Sequence, residues 1–375
     1  MATKHDLSQS DTGHLSQTMN SAGNDQLMEQ TSFASSLEKR PLITFALFAY
    51  NQEDLVKEAV EGALSQTYSP LEIILSDDCS IDRTFEVMKE MANAYKGPHQ
   101  VKVRRQPVND GLLNHVCAVV SEMSGEIMVL AAGDDVSVSQ RVETIVAAWT
   151  PSCIGLFSAC DLISKDGKIL EKNWLPTAGA RDRLPWLKEI RSDLFVYGAS
   201  SCYHRSILEE LPLSVSKVYS EDTPLNLLVQ LNSGDIQICP EALVKYRVHR
   251  NSISSTNLPS KPSFDTIMRE EKSHAKHIRI QRDILVYLHE IFVPSAKAEE
   301  LVDMSAILSE IAFCDLRHDW YYSSLFQRVI TLLNMTRKGW LWTFPRIFGL
   351  NFYVALKYLL TCLRLKKNQH QGIKR

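Results

Sequence analysis

Two hydrophobic patterns alternate along this chain, and each switch between them marks an element. Leu42-Ile-Thr-Phe-Ala-Leu-Phe48 is a nearly unbroken apolar run, which predicts a strand buried on both faces. Ala49-Tyr-Asn-Gln-Glu-Asp54 interrupts it. Leu55, Ala59, Val60, Ala63 and Leu64 then recur at helical spacing until Tyr68-Ser-Pro70. Leu71-Glu-Ile-Ile-Leu75 predicts a second strand, closed by Ser76-Asp-Asp-Cys-Ser80 and followed by a helix over 82–95. A short strand at 101–104, a turn at Asn109-Asp-Gly111 and a helix over 112–124, capped by Gly125, extend the pattern. Successive β-α units of this kind cross over right-handedly into a parallel sheet, with the loops after the strands gathered along one edge.

The next strand, Ile127-Met-Val-Leu-Ala-Ala-Gly-Asp-Asp135, organises the rest, because it delivers two adjacent carboxylates to that edge. Taken alone it is equally a strand followed by a helix cap, with Asp135, Ser137 or Ser139 capping a helix that begins near Gln140. Beyond it, Ile154-Gly-Leu-Phe-Ser-Ala predicts a strand, and Cys160 to Gly167 a strand entering a tight turn. Gly198-Ala-Ser-Ser-Cys-Tyr203 is rich in small residues, as a close-packed strand would be. Tyr219-Ser-Glu-Asp-Thr-Pro-Leu-Asn226 reads as a helix start, with Asp222 or Thr223 as cap and Pro224 in the first turn. Strands at 236–239 and 242–248 follow. From about Ser263 the pattern turns helical: 267–288, a break at Pro294, 296–314 and 321–335. The expected division is a flexible polar leader over 1–39, a catalytic domain over 40–260 and a helical extension over 261–375.

Composition narrows the class. A chain of 375 residues, 45% hydrophobic and 23% charged, buries a sizeable core. Its eight cysteines have no CxxC pair and sit mostly in apolar runs, as small buried hydrophobes in a reducing compartment do. No apolar segment follows a basic start, so a cytoplasmic location is expected. The net charge of −3 conceals a basic tail: residues 320–375 hold ten Lys or Arg and no acid, leaving 31 basic residues against 44 acidic elsewhere. With Trp340, Trp342, Phe352 and Tyr353, that tail is suited to peripheral contact with an anionic membrane surface, or to packing on the domain as a helix. A nucleic-acid partner is not expected, because the tail is apolar and carries no known reading module.

Tyr50-Asn51, Asp77-Asp78 and Asp134-Asp135 follow three strands that share an edge. An aromatic ring and four carboxylates there suit a nucleotide, the ring for the base and the acids for base or ribose donors and a divalent cation. These residues, with Gln66-Thr-Tyr68, Asp82-Arg-Thr84, Asn109-Asp-Gly111, Gly125-Glu126 and Gly133-Asp-Asp135, resemble in order and spacing the family 2 glycosyltransferases of the GT-A fold. The resemblance covers about residues 41–255. It implies an α/β fold with a Rossmann-like mixed, mainly parallel sheet flanked by helices and followed by a C-terminal helical extension.

The implied activity is inverting transfer of a sugar from a nucleotide diphosphate sugar to an acceptor hydroxyl, as in bacterial surface-polysaccharide assembly on a lipid-linked saccharide. Tyr50 would stack on the base and Asp78 would accept from its ring N–H, with Asn51 and Asp77 as neighbours. Asp134 and Asp135 would serve the ribose and a Mn2+ or Mg2+ ion, with Asp135 preferred for direct coordination. Where the family has its first motif acid this chain has Ala132, which makes His249, of Arg247-Val-His249, a further metal candidate. Asp222 would be the general base and Glu221 its partner in placing the acceptor. Two rivals use similar parts. A nucleotidyltransferase would need a Gly-rich phosphate loop where Tyr50-Asn-Gln52 stands, and Ala132 suits a non-catalytic sugar-binding or scaffold protein.

Overall fold

The computed structural model describes residues 40–175, 180–189, 194–214, 218–232, 234–249, 277–296 and 298–320. The leader over 1–39, the basic tail after 320 and the helix expected over 321–335 lie outside these residues. Nine described strands form one sheet: β1 (Ile43–Ala49), β2 (Leu71–Asp77), β3 (Gln100–Arg105), β4 (Ile127–Ala132), β5 (Val136–Ser137), β6 (Cys153–Ser164), β7 (Ile169–Trp174), β8 (Ser201–His204) and β9 (Asp235–Val248). Their order is β3-β2-β1-β4-β8-β6-β9-β5, with β7 paired to β6. The β3-β2-β1-β4 half is parallel throughout, as the β-α repeat requires. β8 joins antiparallel to β4 and to β6, while β6 and β9 run parallel.

Helices cover both faces: α1 (Val56–Leu64), α2 (Thr84–Ala94), α3 (Leu112–Val120), α4 (Arg141–Ala148), α5 (Arg205–Glu209), α6 (Asp222–Leu231), α7 over 277–295 and α8 (Met304–Trp320). β1 shows why its run is apolar at every position. Ile43, Phe45, Leu47 and Ala49 pack into the cluster under α1, α2 and α4. Ala46 and Phe48 point the other way, into the cluster shared with α3, α6 and α7. Thr44, the polar exception, is fully buried and satisfied: its hydroxyl donates to Glu72 Oε2 at 2.8 Å and accepts from the Gly125 N–H at 3.0 Å.

Some local expectations give way to tertiary contacts. α3 ends at Val120, and Gly125, rather than capping it, lets the chain pass against the backbone of Ile43 and Thr44, where a Cβ would collide. α4 begins at Arg141 with no side-chain cap, because the Ser137 hydroxyl accepts from Arg141 Nη1 at 2.9 Å and Asp135 serves β9. The two strands expected at 236–239 and 242–248 are one, β9. It absorbs Pro240 in a register shift, Ser158 facing Cys239 but Ala159 facing Ala242. The helix expected to stop at Leu288 continues through a π turn over Leu288–Phe292 and ends at Ser295, one residue past Pro294, and the next starts at Met304 rather than Ala296. Among the described residues no helix is long and apolar enough to cross a membrane.

Candidate functional site

β1, β2 and β4 end level with one another because they are paired in register to their last residues, Ala49 opposite Asp77 and Phe48 opposite Ala132. The loops start while still on the ladder: the Asp78 N–H donates to the Ala49 carbonyl at 2.9 Å and the Gly133 N–H to the Phe48 carbonyl at 2.8 Å. Tyr50, Asn51, Asp78, Asp134 and Asp135 therefore line one cavity of about 1730 Å³. The start of α6 adds Glu221 and Asp222, and the end of β9 adds His249. Asp77 alone of the expected residues stays outside the lining. It is fully buried, 3.3 Å from Arg105 Nε, and accepts from the Ser80 N–H at 2.9 Å, so it holds the loop that carries Asp78.

The loop after β1 is built to expose a ring. Tyr50 is 44% exposed. Behind it Asn51 takes a left-handed conformation (φ 51°), which asparagine tolerates better than most side chains. The Asn51 N–H donates to Ser80 Oγ at 2.8 Å and its carboxamide accepts from the Ile81 N–H at 2.9 Å. Gln52 and Glu53 donate in the same way to Thr84 Oγ1 and Asp82 Oδ2, at 2.7 and 3.1 Å. Asn51 thus anchors the loop that presents Tyr50 beside Asp78.

The acids after β4 face different partners. Asp134 Oδ2 lies 2.8 Å from His249 Nε2, both side chains only slightly exposed. Asp135 Oδ1 accepts from the Arg247 N–H at 2.7 Å, whereas its buried Oδ2 has no hydrogen-bond partner among the described residues. Burial, reinforced by the Asp134 charge beside it, pushes the Asp135 carboxyl well above the usual carboxylate range. Arg247, which the sequence marked only as part of Arg-Val-His, is the clasp of this region. Its buried guanidinium donates to the carbonyls of Asp134 (2.8 Å) and Ser164 (3.4 Å) and to Glu58 Oε2 (2.9 Å).

A divalent cation fits this donor set in part. Asp134 and His249 offer one carboxylate oxygen and one imidazole nitrogen side by side, and Asp135 offers an unused oxygen. Among the described residues no group of three or more His, Cys, Asp or Glu encloses an ion, so the remaining ligands would be phosphate or water oxygens, the usual arrangement for a hard cation on a nucleotide.

Glu221 and Asp222 sit where α6 starts, facing Gly198. A Cβ there would meet Asp222 Oδ1 at 2.7 Å and collide with Glu221 Oε1, so the small residue leaves room for the acids. Among the described residues no side chain pairs with the buried Asp222 Oδ1. Burial raises the Asp222 carboxyl to about 6, opposed by a hydrogen bond from Gly198 and the charge of Arg183. Burial and the neighbouring Asp222 charge raise Glu221 further, to about 8. The two carboxyls therefore titrate as a pair that keeps a proton to higher pH than two exposed carboxyls would. Asn226, read in the sequence as an ordinary helix position, fixes the acids from behind. Fully buried, it accepts from the Val196 N–H and donates to the carbonyls of Val196 and Asp222, each at 2.8 Å.

Comparison with known proteins gives this arrangement a context. Residues 44–211 match the pattern of glycosyl transferase family 2. An uncharacterized glycosyltransferase of Haemophilus influenzae is 24% identical over 311 residues, 79% of this chain and 88% of that one. The uncharacterized glycosyltransferase EpsJ of Bacillus subtilis is 24% identical over 241 residues, 62% of this chain and 67% of its own. Among solved structures, S. aureus TarS 1-349 in complex with UDP-GlcNAc aligns with a TM-score of 0.47 at 12% identity, covering 74% of this chain and 89% of that chain.

Proposed function

We propose that this protein, whose residues 44–211 match glycosyl transferase family 2, is an inverting glycosyltransferase acting from a nucleoside diphosphate sugar on an acceptor hydroxyl. The observation that carries the reading is the meeting of Tyr50, Asp78, Asp134, His249 and Asp222 in one cavity at the ends of the parallel strands. Tyr50 stacks on the base and Asp78 accepts from its ring N–H. Asp134 and His249 would hold a divalent cation, so the preference for Asp135 moves to Asp134, the acid with the histidine beside it. Bound there, Mn2+ or Mg2+ supplies positive charge to the departing diphosphate. Asp135 stays with the Arg247 N–H and fixes the angle at which Asp134 leaves the strand.

Asp222 takes the proton from the acceptor hydroxyl as its oxygen forms a bond to the anomeric carbon and the bond to the diphosphate breaks on the opposite face. Its buried carboxyl, raised towards neutral pH and facing the cavity, suits a base. Glu221, protonated, donates a hydrogen bond that positions the acceptor or Asp222. We place the reaction in surface-polysaccharide assembly on a lipid-linked acceptor, on the strength of the basic, aromatic tail over 320–375. The test is release of nucleoside diphosphate from a panel of UDP-, GDP-, CDP- and dTDP-sugars with Mn2+. One donor is expected to turn over, and Asp222→Asn to lower kcat by at least about 100-fold with little change in nucleotide affinity. Full activity in Asp222→Asn would remove the base assignment.

A further inference from the structure

The cavity has a wall that the strand ends do not supply. Arg279, Ile280 and Asp283 of α7 line it, and at spacings of one and four residues they share one side of that helix. The rest of α7 is anchored: Ile278, Ile284, Leu285 and Leu288 are buried in the cluster shared with α3 and α6, and the Tyr287 hydroxyl donates to the Pro212 carbonyl at 2.6 Å. The helix therefore holds Arg279 at the cavity on a fixed support.

The charge of the cavity makes that cation matter. Ten carboxylate side chains line it against three Lys or Arg. Arg247 is turned inward onto carbonyls and Glu58, and Lys165 Nζ lies 3.5 Å from Asp54 Oδ2. Arg279 is exposed and forms no ion pair with any described residue. The donor brings its diphosphate charge into this acidic space, and the charge grows beyond what one divalent cation offsets as the sugar departs and the free nucleoside diphosphate forms. A guanidinium offers a planar fork of donors that matches phosphate oxygens. We propose that Arg279 binds the diphosphate of the donor, making α7 a part of the donor site; this rests on the glycosyltransferase reading above.

Isothermal titration with Mn2+ tests it on the full chain, comparing wild type, Arg279→Gln and Arg279→Lys. The probes are UDP, GDP, CDP and dTDP, and for whichever binds, its uncharged nucleoside. Arg279→Gln is expected to weaken the diphosphate about tenfold and leave the nucleoside unchanged, with partial recovery in Arg279→Lys. An unchanged diphosphate affinity overturns the inference, including the case in which only the KM of the acceptor rises. Equal losses for diphosphate and nucleoside also overturn it, since they would mean a displaced helix. If wild type binds none of the four diphosphates, the glycosyltransferase reading falls as well, whereas normal wild-type binding with an unaffected Arg279→Gln removes this inference alone.

Discussion

Glu221 and Asp222 are chemically similar carboxyls that their surroundings drive apart in acidity. Both are raised chiefly by burial, but Glu221 also feels the Asp222 charge, whereas Asp222 is relieved by the Gly198 hydrogen bond and by Arg183. The consequence for stability has a definite sign. The folded state holds the Glu221 proton more tightly than the unfolded chain does. The stability it contributes is therefore complete below the ordinary carboxyl value of 4.5 and is lost as pH rises through about 8. Glu221→Gln removes that loss. Its melting temperature should exceed that of wild type at pH 9, by on the order of a few kcal/mol in stability, with the advantage shrinking steadily towards pH 4.5. A difference between the two proteins that does not change with pH would contradict the burial of this acid.

At the scale of elements, the short contacts that matter link segments far apart in sequence. Asn226 of α6 is satisfied only by Val196 and by Asp222 one turn earlier. Asn226→Ala leaves the Val196 N–H and carbonyl buried without that partner, so urea unfolding should show a loss of about 2–4 kcal/mol. An unchanged midpoint would mean that the clasp adds nothing to the fold. The same distinction explains what could be read in advance. β1, β2 and β4 announce themselves because strands buried on both faces are apolar at nearly every position, and the register of their ends follows from that. The joining of β9 across Pro240 was hidden, since a register shift removes the conflict that a proline poses locally, and so was the π turn that carries α7 past Leu288. Arg247 was legible as a motif position but not as a clasp, because its partners Glu58, Asp134 and Ser164 come from three other stretches. His249 was a residue near arginines in sequence. Its contact with Asp134 exists only once β9 crosses the end of β4.

Across the whole molecule, the sheet changes character at β4. On one side, parallel strands end together and offer Tyr50, Asp78 and Asp134; on the other, β8, β6 and β9 with α6 bring Asp222 and His249 towards them. The half that carries Tyr50, Asp78 and Asp134 thus comes from local β-α units, and the half that completes the cavity comes from long-range antiparallel and parallel pairings. The most direct test is a thermal-shift titration of the full chain with UDP, GDP, CDP and dTDP, each with and without Mn2+, on wild type and Asp134→Ala. A ligand bound only by the folded state raises the melting temperature with the logarithm of its concentration over Kd. The account predicts one nucleotide whose shift grows with Mn2+ in wild type and loses that metal dependence in Asp134→Ala. A shift with the same metal dependence in both proteins, or none with any nucleotide, would contradict it.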